Sequence, residues 1–106
     1  MSIAVPLADL AATLEAYPWG YILTVGDDQR SHLLAVPSTM VEGVFVVDAG
    51  RSARANAATR PEVTLVFPPA TGREFSLVVD GTATVVGEQV HVLPTWAVMH
   101  RPALRD

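Results

Sequence analysis

The sequence predicts a mainly β protein with short helices, folded as a split β-barrel of about six antiparallel strands. Apolar and polar residues alternate with period two over several short runs, which is typical of strands that place one face in a core. Glycine, proline and acidic residues separate these runs and predict tight antiparallel connections. No alternating run is long enough to supply a second layer of secondary structure. A chain of 106 residues is expected to form one domain. These features predict a small barrel that is filled by its own side chains.

A short amphipathic helix is predicted first, over residues 6–16, within an N-terminal segment of residues 1–17. Pro6 is suited to the first turn of this helix. The apolar residues that recur at helical spacing are Leu7, Leu10, Ala11 and Leu14. We expect the helix to lie across an open end of the core. Trp19 follows the helix and is predicted as a core or interface anchor.

A β-hairpin comes next, with strands over residues 21–25 and 31–39 and a polar turn between them. One face of the returning strand carries His32, Leu34, Val36 and Ser38. Pro37 has no N–H group to donate, so it marks a bulge or a sheet edge, where a ligand can approach the backbone. A third strand over residues 44–48 then leads to the internal helix.

The one convincing internal helix is predicted over residues 52–60, because the residue before Pro61 is pushed out of the helical region. If Ser52 caps this helix, the backbone N–H groups behind the cap face a shared concavity. Arg51 and Arg54 are then placed to close over an anion. The segment therefore predicts a phosphate-binding site, and the alternative is a capped surface helix with solvated arginines.

Three further strands are predicted over residues 62–67, 75–86 and 90–93. The second of them alternates over a long run, which argues for a bent strand with Gly81 at the bend. A short helical tail is predicted after the last strand, within a C-terminal segment of residues 94–106. Trp96 and Met99 stand at helical spacing in this tail. We interpret them as a lid over the core, which in a dimer can flank a ligand.

The composition narrows the classes of function. Half of the residues are hydrophobic, 17% are charged and the mean hydropathy is +0.33, so burial in an oligomer is expected. A net charge of −4 argues against a general nucleic-acid binder. The chain has no cysteine and no lysine, which excludes disulfides, thiolate metal sites and Schiff-base chemistry. No apolar stretch approaches a membrane span and no leader is evident, so a cytoplasmic protein is expected.

Three segments in a fixed order carry a resemblance to a known family. They are a helix start at residues 51–56 (RSARAN), a strand at residues 60–68 (RPEVTLVFP) and a glycine-bearing strand at residues 75–83 (FSLVVDGTA). In this order the sequence resembles the pyridoxamine 5'-phosphate oxidase-like family of FMN-binding split β-barrels, as a small actinobacterial-type member. The resemblance covers roughly residues 20–86, which is most of the chain.

The resemblance implies a homodimer that binds FMN, or the deazaflavin F420, in clefts between its subunits. It implies an oxidoreductase with an unidentified substrate. Ser52 and Arg54 match the phosphate-binding positions of the family, Ser76 matches a polar position facing the flavin ring, and the strand over residues 33–38 would run beside that ring. No catalytic residue and no metal ligand is predicted. The candidate cofactor-binding residues are Arg51, Ser52, Arg54, Asn56, His32, Val36, Ser38, Ser76 and Trp96.

Departures from the family pattern leave alternatives open. His32 and Pro37 stand where the true oxidases have phosphate-binding Arg and Lys. The substrate-binding C-terminal segment of those enzymes has no match, so pyridoxamine phosphate oxidation is not predicted. One alternative is a non-catalytic dimeric barrel that serves as a binding module. Another is a haem ligated by His32 or His100. A metal site is weakly supported, because the histidines have no carboxylate at ligand spacing.

Overall fold

The computed structural model of the chain describes residues 1–103 and contains one sheet of eight antiparallel strands with short helices. The strands predicted over residues 44–48 and 62–67 have the predicted bounds. In chain order the elements are β1 (Ser2–Ala4), a 3₁₀ turn (Leu7–Asp9), α1 (Leu10–Leu14), β2 (Trp19–Val25), β3 (Ser31–Pro37), β4 (Met40–Val41), β5 (Val44–Asp48), α2 (Arg51–Thr59), β6 (Glu62–Phe67), β7 (Ser76–Val86) and β8 (Gln89–His100).

The sheet curls because its two edge strands are joined by a very short link. Its order is β3, β2, β6, β7, β8, β5 and β4, with β1 added beside β8. Only Ser38 and Thr39 separate β3 from β4, although these strands lie at opposite ends of the order. The Val46 N–H group donates to the Thr39 carbonyl at 3.0 Å, next to this link. The predicted split β-barrel is confirmed.

The core lies inside the curled sheet and is built from alternate residues of its strands. Phe45 and Phe67 stack at its centre with ring centroids 5.7 Å apart. The predicted inward face of β6 is confirmed, since its alternate residues are at most 4% exposed. The large apolar side chains with less than 2% exposure are Phe45, Phe67, Leu10, Ile22, Leu65, Leu77, Val79, Val90 and Val92.

The prediction of a helical tail after residue 93 is wrong, because β8 continues as a strand to His100. The long strand β7 supplies a ladder partner along this whole segment. The ladder shifts register at Asp80 and Gly81, opposite Pro94, which cannot donate a hydrogen bond. A side chain on Gly81 would meet the Leu93 carbonyl oxygen at 2.7 Å, so the close approach requires glycine. Residues 104–106 of the predicted tail lie outside the described residues.

Both helices differ from their predicted forms. The N-terminal helix is a 3₁₀ turn followed by the five residues of α1. Helix α2 begins at Arg51, one residue earlier than predicted, and ends at Thr59. The prediction that Ser52 caps α2 is wrong, because Gly50 holds the N-cap position and no side chain bonds to the helix start. Within residues 1–103, no helix has both the length and the apolar character needed to cross a membrane.

Tyr17 ties the end of the N-terminal segment to the sheet. It is 8% exposed, and its hydroxyl donates to the Phe75 carbonyl at 2.7 Å. Burial, and secondarily the charge of Glu74, raises the pKa of Tyr17 above its usual 10.0. Because the pKa of Tyr17 is higher in the folded than in the unfolded protein, the protonated hydroxyl stabilises the fold. This contribution to stability is complete at a pH below the unfolded-state pKa and is lost as the pH rises through the folded-state pKa.

We expect Tyr17→Phe to lower the free energy of unfolding by about 1 kcal/mol at pH 8, because the hydrogen bond is lost. The variant should also lose less stability than the wild type between pH 8 and pH 11, since its ring cannot ionise. Urea unfolding at both pH values measures the two effects. An equal loss of stability in the two proteins over this range would contradict the assignment.

Candidate functional site

A cleft of about 260 Å³ opens between the start of α2 and the β2–β3 hairpin. It lies where β5 delivers the chain to α2, beside the exposed first half of edge strand β3. Thr24 and His32 are direct partners in the β2–β3 ladder, which explains why both line the same wall. The lining residues are Thr24, His32, Leu33, Leu34, Gly50, Arg51, Ser52 and Ala53.

The uncapped start of α2 forms one wall of the cleft. The Arg54 N–H group donates to the Gly50 carbonyl at 3.0 Å and makes the first bond of the helix. The N–H groups of the three preceding residues have no partner within the helix. No side chain caps them, and the first turn contains no acidic residue. This wall therefore carries the partial positive charge of a helix N-terminus.

Asn56 holds α2 against the sheet. Its side-chain amide donates to the Thr24 hydroxyl at 3.2 Å. Thr24 is 1% exposed, and it is the one buried polar residue among residues 1–103. Since Asn56 does not line the cleft and satisfies this buried hydroxyl, its position is that of a residue that orients the helix.

The two arginines near the start of α2 have different surroundings. The Arg54 guanidinium donates to the Ala49 carbonyl, is partly buried and does not line the cleft. Arg51 lines the cleft and is exposed. Within residues 1–103, no hydrogen bond or ion pair engages the Arg51 side chain. Of the two arginines, Arg51 is the one available to an anion in the cleft.

His32 faces the cleft with a carboxylate close by. Its Nε2 atom lies 3.6 Å from the Asp28 Oδ1 atom, and both side chains are about half exposed. The Arg30 backbone N–H, followed by His32, lowers the pKa of the Asp28 carboxyl. Asp28 is therefore ionised at neutral pH, and its charge opposes the binding of an anion directly at His32. An anion is better accommodated at the α2 wall.

The remaining predicted site residues lie away from this cleft. Val36 is 4% exposed and belongs to the core. The Ser38 hydroxyl donates to the Tyr17 carbonyl. Ser76 pairs with His100 in the β7–β8 ladder, and Trp96 pairs with Asp80 four register positions along. The structure thus brings together Arg51, Ser52 and His32. Thr24 was not predicted, although the hairpin register that places it opposite His32 could have indicated it.

The three histidines have separate partners. His32 lies by Asp28, His91 shares a hydrogen bond with Gln89, and His100 bonds to Ser2. Across the described part of the chain, no group of three or more potential metal ligands converges.

The fold is shared with several solved structures. A FAD-binding protein from Mycobacterium smegmatis superimposes with a TM-score of 0.67 at 18% identity, over 95% of this chain and 100% of that one. A putative pyridoxamine 5'-phosphate oxidase from Listeria innocua gives 0.71 at 13% identity, over 88% and 96%. An F420 reductase gives 0.66 at 15% identity, over 80% and 93%. The chain therefore has the split β-barrel fold of these structures, as the sequence predicted.

The sequence relatives are mycobacterial. Uncharacterized proteins of Mycobacterium bovis and Mycobacterium tuberculosis are each 37% identical over 119 aligned positions, which cover 96% of this chain and 84% of theirs. The chain belongs to the same family as these two proteins. No protein-family model matches it.

Proposed function

We propose that the protein binds a flavin-type cofactor, with a phosphate group at the start of α2 and the ring system along β3. The observation that carries this proposal is the cleft itself. It combines an uncapped helix start, Arg51 and Ser52 with the apolar side chains of Leu33 and Leu34.

The α2 wall suits a phosphate. Free N–H groups at a helix start bind anions, and the helix dipole favours negative charge there. Arg51 adds a planar guanidinium that can form two parallel bonds to phosphate oxygens. Ser52 adds a hydroxyl group at the same wall. Gly50 leaves this wall open, because an added side-chain carbon would meet nothing within 4 Å.

The β3 wall suits a flat ring. Leu33 and Leu34 offer apolar surface, at 62% and 37% exposure. Strand β3 pairs with β2 on one side and is an edge of the sheet on the other. Its outer N–H and C=O groups can therefore bond to the polar edge of a flavin ring. The cleft volume of about 260 Å³ is below the roughly 300–1,000 Å³ of typical ligand pockets, so one chain encloses only part of such a cofactor.

FMN is the proposed cofactor and F420 the alternative. The names of the solved structures with this fold include a FAD-binding protein and an F420 reductase, which supports a flavin-type ligand in general. FMN carries one terminal phosphate, and the α2 wall of the cleft is suited to one such group. When bound, a flavin supplies hydride or electron transfer, so the proposed class is an oxidoreductase. The chain's own residues would anchor the phosphate, flank the ring and place His32 and Asp28 beside it.

Titration with FMN and riboflavin tests this proposal. The two ligands share the ring and differ in the phosphate, so flavin fluorescence reports both on the same scale. We expect FMN to bind about tenfold more tightly or better, because at least one charge-assisted contact depends on the phosphate. F420 and haem are titrated in parallel.

Equal affinities for FMN and riboflavin would contradict the proposed phosphate-binding site at the start of α2. Binding of F420 in preference to FMN would select the alternative cofactor. A protein that takes up none of the four ligands would support the non-catalytic barrel instead.

A further inference from the structure

The Thr24 hydroxyl lies at the floor of the cleft, and its hydrogen has no acceptor within residues 1–103. Thr24 lines the cleft although the residue is only 1% exposed. Its oxygen accepts the hydrogen bond from the Asn56 side-chain amide, which is its one printed contact of this kind in the described chain. A hydroxyl group has one donor and two acceptor positions. Since buried polar groups are as a rule fully bonded, the free donor of Thr24 points to a ligand.

Asn56 fixes the direction in which the Thr24 hydroxyl can donate. The amide N–H group that points at the Thr24 oxygen occupies one of its acceptor positions, so the hydroxyl hydrogen is turned away from Asn56. Asn56 follows Ser52 by four residues in α2, so the two side chains lie on the same face of the helix. Ser52 lines the cleft. The contact with Asn56 therefore holds Thr24 below the helix face that carries Ser52.

Donors reach this part of the cleft from two sides. The helix side supplies the free N–H groups at the start of α2 and the Arg51 guanidinium. The sheet side supplies Thr24, which β2 places directly opposite His32. Of the described residues that line the cleft, none is a carboxylate. An oxyanion between the two sides thus meets hydrogen-bond donors from the helix above it and from Thr24 below it.

We propose that Thr24 is a ligand-binding residue that donates to one terminal oxygen of a phosphate monoester and selects monoesters over diesters. The position of the phosphate at the start of α2 rests on the proposed function, whereas the role of Thr24 goes beyond it. A monoester presents three terminal oxygens, which the helix start, Arg51 and Thr24 can bond. A diester presents two, because its third position carries a second ester chain.

The floor of the cleft leaves no path for that second chain. Thr24 is closed off from solvent and backed by Asn56, and the next residue of α2, Ala57, is buried in the core. A diester must therefore turn its second chain away from Thr24 and forgo this hydrogen bond. FMN ends in a phosphate monoester, whereas F420 carries its phosphate as a diester, so Thr24 favours FMN.

A purely structural role for Thr24 makes a different prediction. Both roles predict a lower free energy of unfolding for Thr24→Val, because the Asn56 amide loses its acceptor. A residue that only supports α2 would affect monoesters and diesters alike. The binding role predicts that the affinity for monoesters falls and that the affinity for diesters does not.

Titration with methyl phosphate and dimethyl phosphate tests the proposal without any cofactor. The backbone amide NMR signals of Arg51, Ser52 and Ala53 report binding at the α2 wall. Thr24→Val keeps the size of the side chain and is expected to weaken methyl phosphate binding about tenfold or more. Dimethyl phosphate should bind this variant within about twofold of the wild type. Thr24→Ser retains the hydroxyl and should bind methyl phosphate within about threefold of the wild type.

Thr64→Val is the matched control for Thr24→Val. The Thr64 hydroxyl donates to Asp80 at 2.8 Å and does not line the cleft, so both ligands should bind this variant as they bind the wild type. Circular dichroism first establishes that each variant is folded. If Thr24→Val does not fold, Thr24→Cys replaces it, because a thiol is a weak donor of similar size.

Equal weakening of both ligands by Thr24→Val, or no weakening of methyl phosphate, overturns the proposal. A wild type that binds methyl phosphate no better than dimethyl phosphate overturns it as well. Selectivity that depends on Thr24 in a protein that binds no flavin supports the proposal and contradicts only the proposed function. A preference for FMN over riboflavin that Thr24→Val leaves unchanged supports the proposed function and contradicts the role of Thr24.

Discussion

Replacing Arg51 with alanine is expected to weaken FMN binding about 10- to 150-fold. A hydrogen bond to a charged group contributes about 1.5–3 kcal/mol, and each 1.4 kcal/mol corresponds to a factor of ten. Arg51 lines the cleft and has no partner among the described residues, so its removal takes a contact from the ligand and leaves the protein's own bonds in place. Riboflavin, which lacks the phosphate, should bind the variant and the wild type equally.

Arg60→Ala is the charge-matched control for this experiment. Arg60 follows the other end of α2 and is paired with Asp27 at 2.7 Å. The Arg60→Ala substitution changes the net charge by the same amount as Arg51→Ala and leaves the cleft intact. The affinity for FMN should therefore stay within about twofold of the wild type. Equal weakening by the two substitutions would show that Arg51 acts through overall charge and is not a phosphate ligand.

Phe67→Ala is expected to lower the free energy of unfolding by about 3–5 kcal/mol. Phe67 is fully buried, stacks on Phe45 and lies against Gly20, where an added side-chain carbon would meet the Phe67 ring at 2.5 Å. Several strands meet at this ring, so the surrounding chain cannot collapse into the cavity without disturbing their ladders. Guanidinium unfolding of the wild type and the variant at the same protein concentration measures the effect.

Phe75→Ala provides the comparison for Phe67→Ala with the same change of side chain. Phe75 is partly exposed and packs beneath Arg101, whose guanidinium lies 4.9 Å from the ring centroid. Phe75→Ala should lower the free energy of unfolding clearly less than Phe67→Ala, because less apolar surface is removed from the core. Similar losses for both variants would contradict the central position assigned to the Phe45–Phe67 stack.

Local sequence patterns predicted much of the barrel. The alternation in Val63, Leu65 and Phe67 identified both a strand and its buried face, because period-two burial follows from the geometry of an extended chain. Pro61 predicted the end of α2 through a clash with the residue before it, and the helix does end at Thr59. These constraints act between near neighbours, so they can be seen in the sequence.

Other elements depend on partners that are distant in the chain. Residues 94–100 form a strand because β7 is long enough to pair with them, which the local pattern around Pro94 does not indicate. The short strands β1 and β4 exist through their pairing with β8 and β5. Their own sequences are too short to show a period. The start of α2 was misplaced by one residue, because both Gly50 and Ser52 are acceptable at a helix cap.

The sequence by itself determined the barrel class, the polarity of its strands and the presence of cations at the start of α2, because these follow from spacing between nearby residues. Tertiary structure decided which side chains share the cleft. The Arg54 guanidinium donates to the Ala49 carbonyl, the Asn56 side chain bonds to Thr24, and Trp96 pairs with Asp80 in the β7–β8 ladder. The direction of each of these side chains depends on a partner supplied by the folded chain, so spacing alone could not assign it.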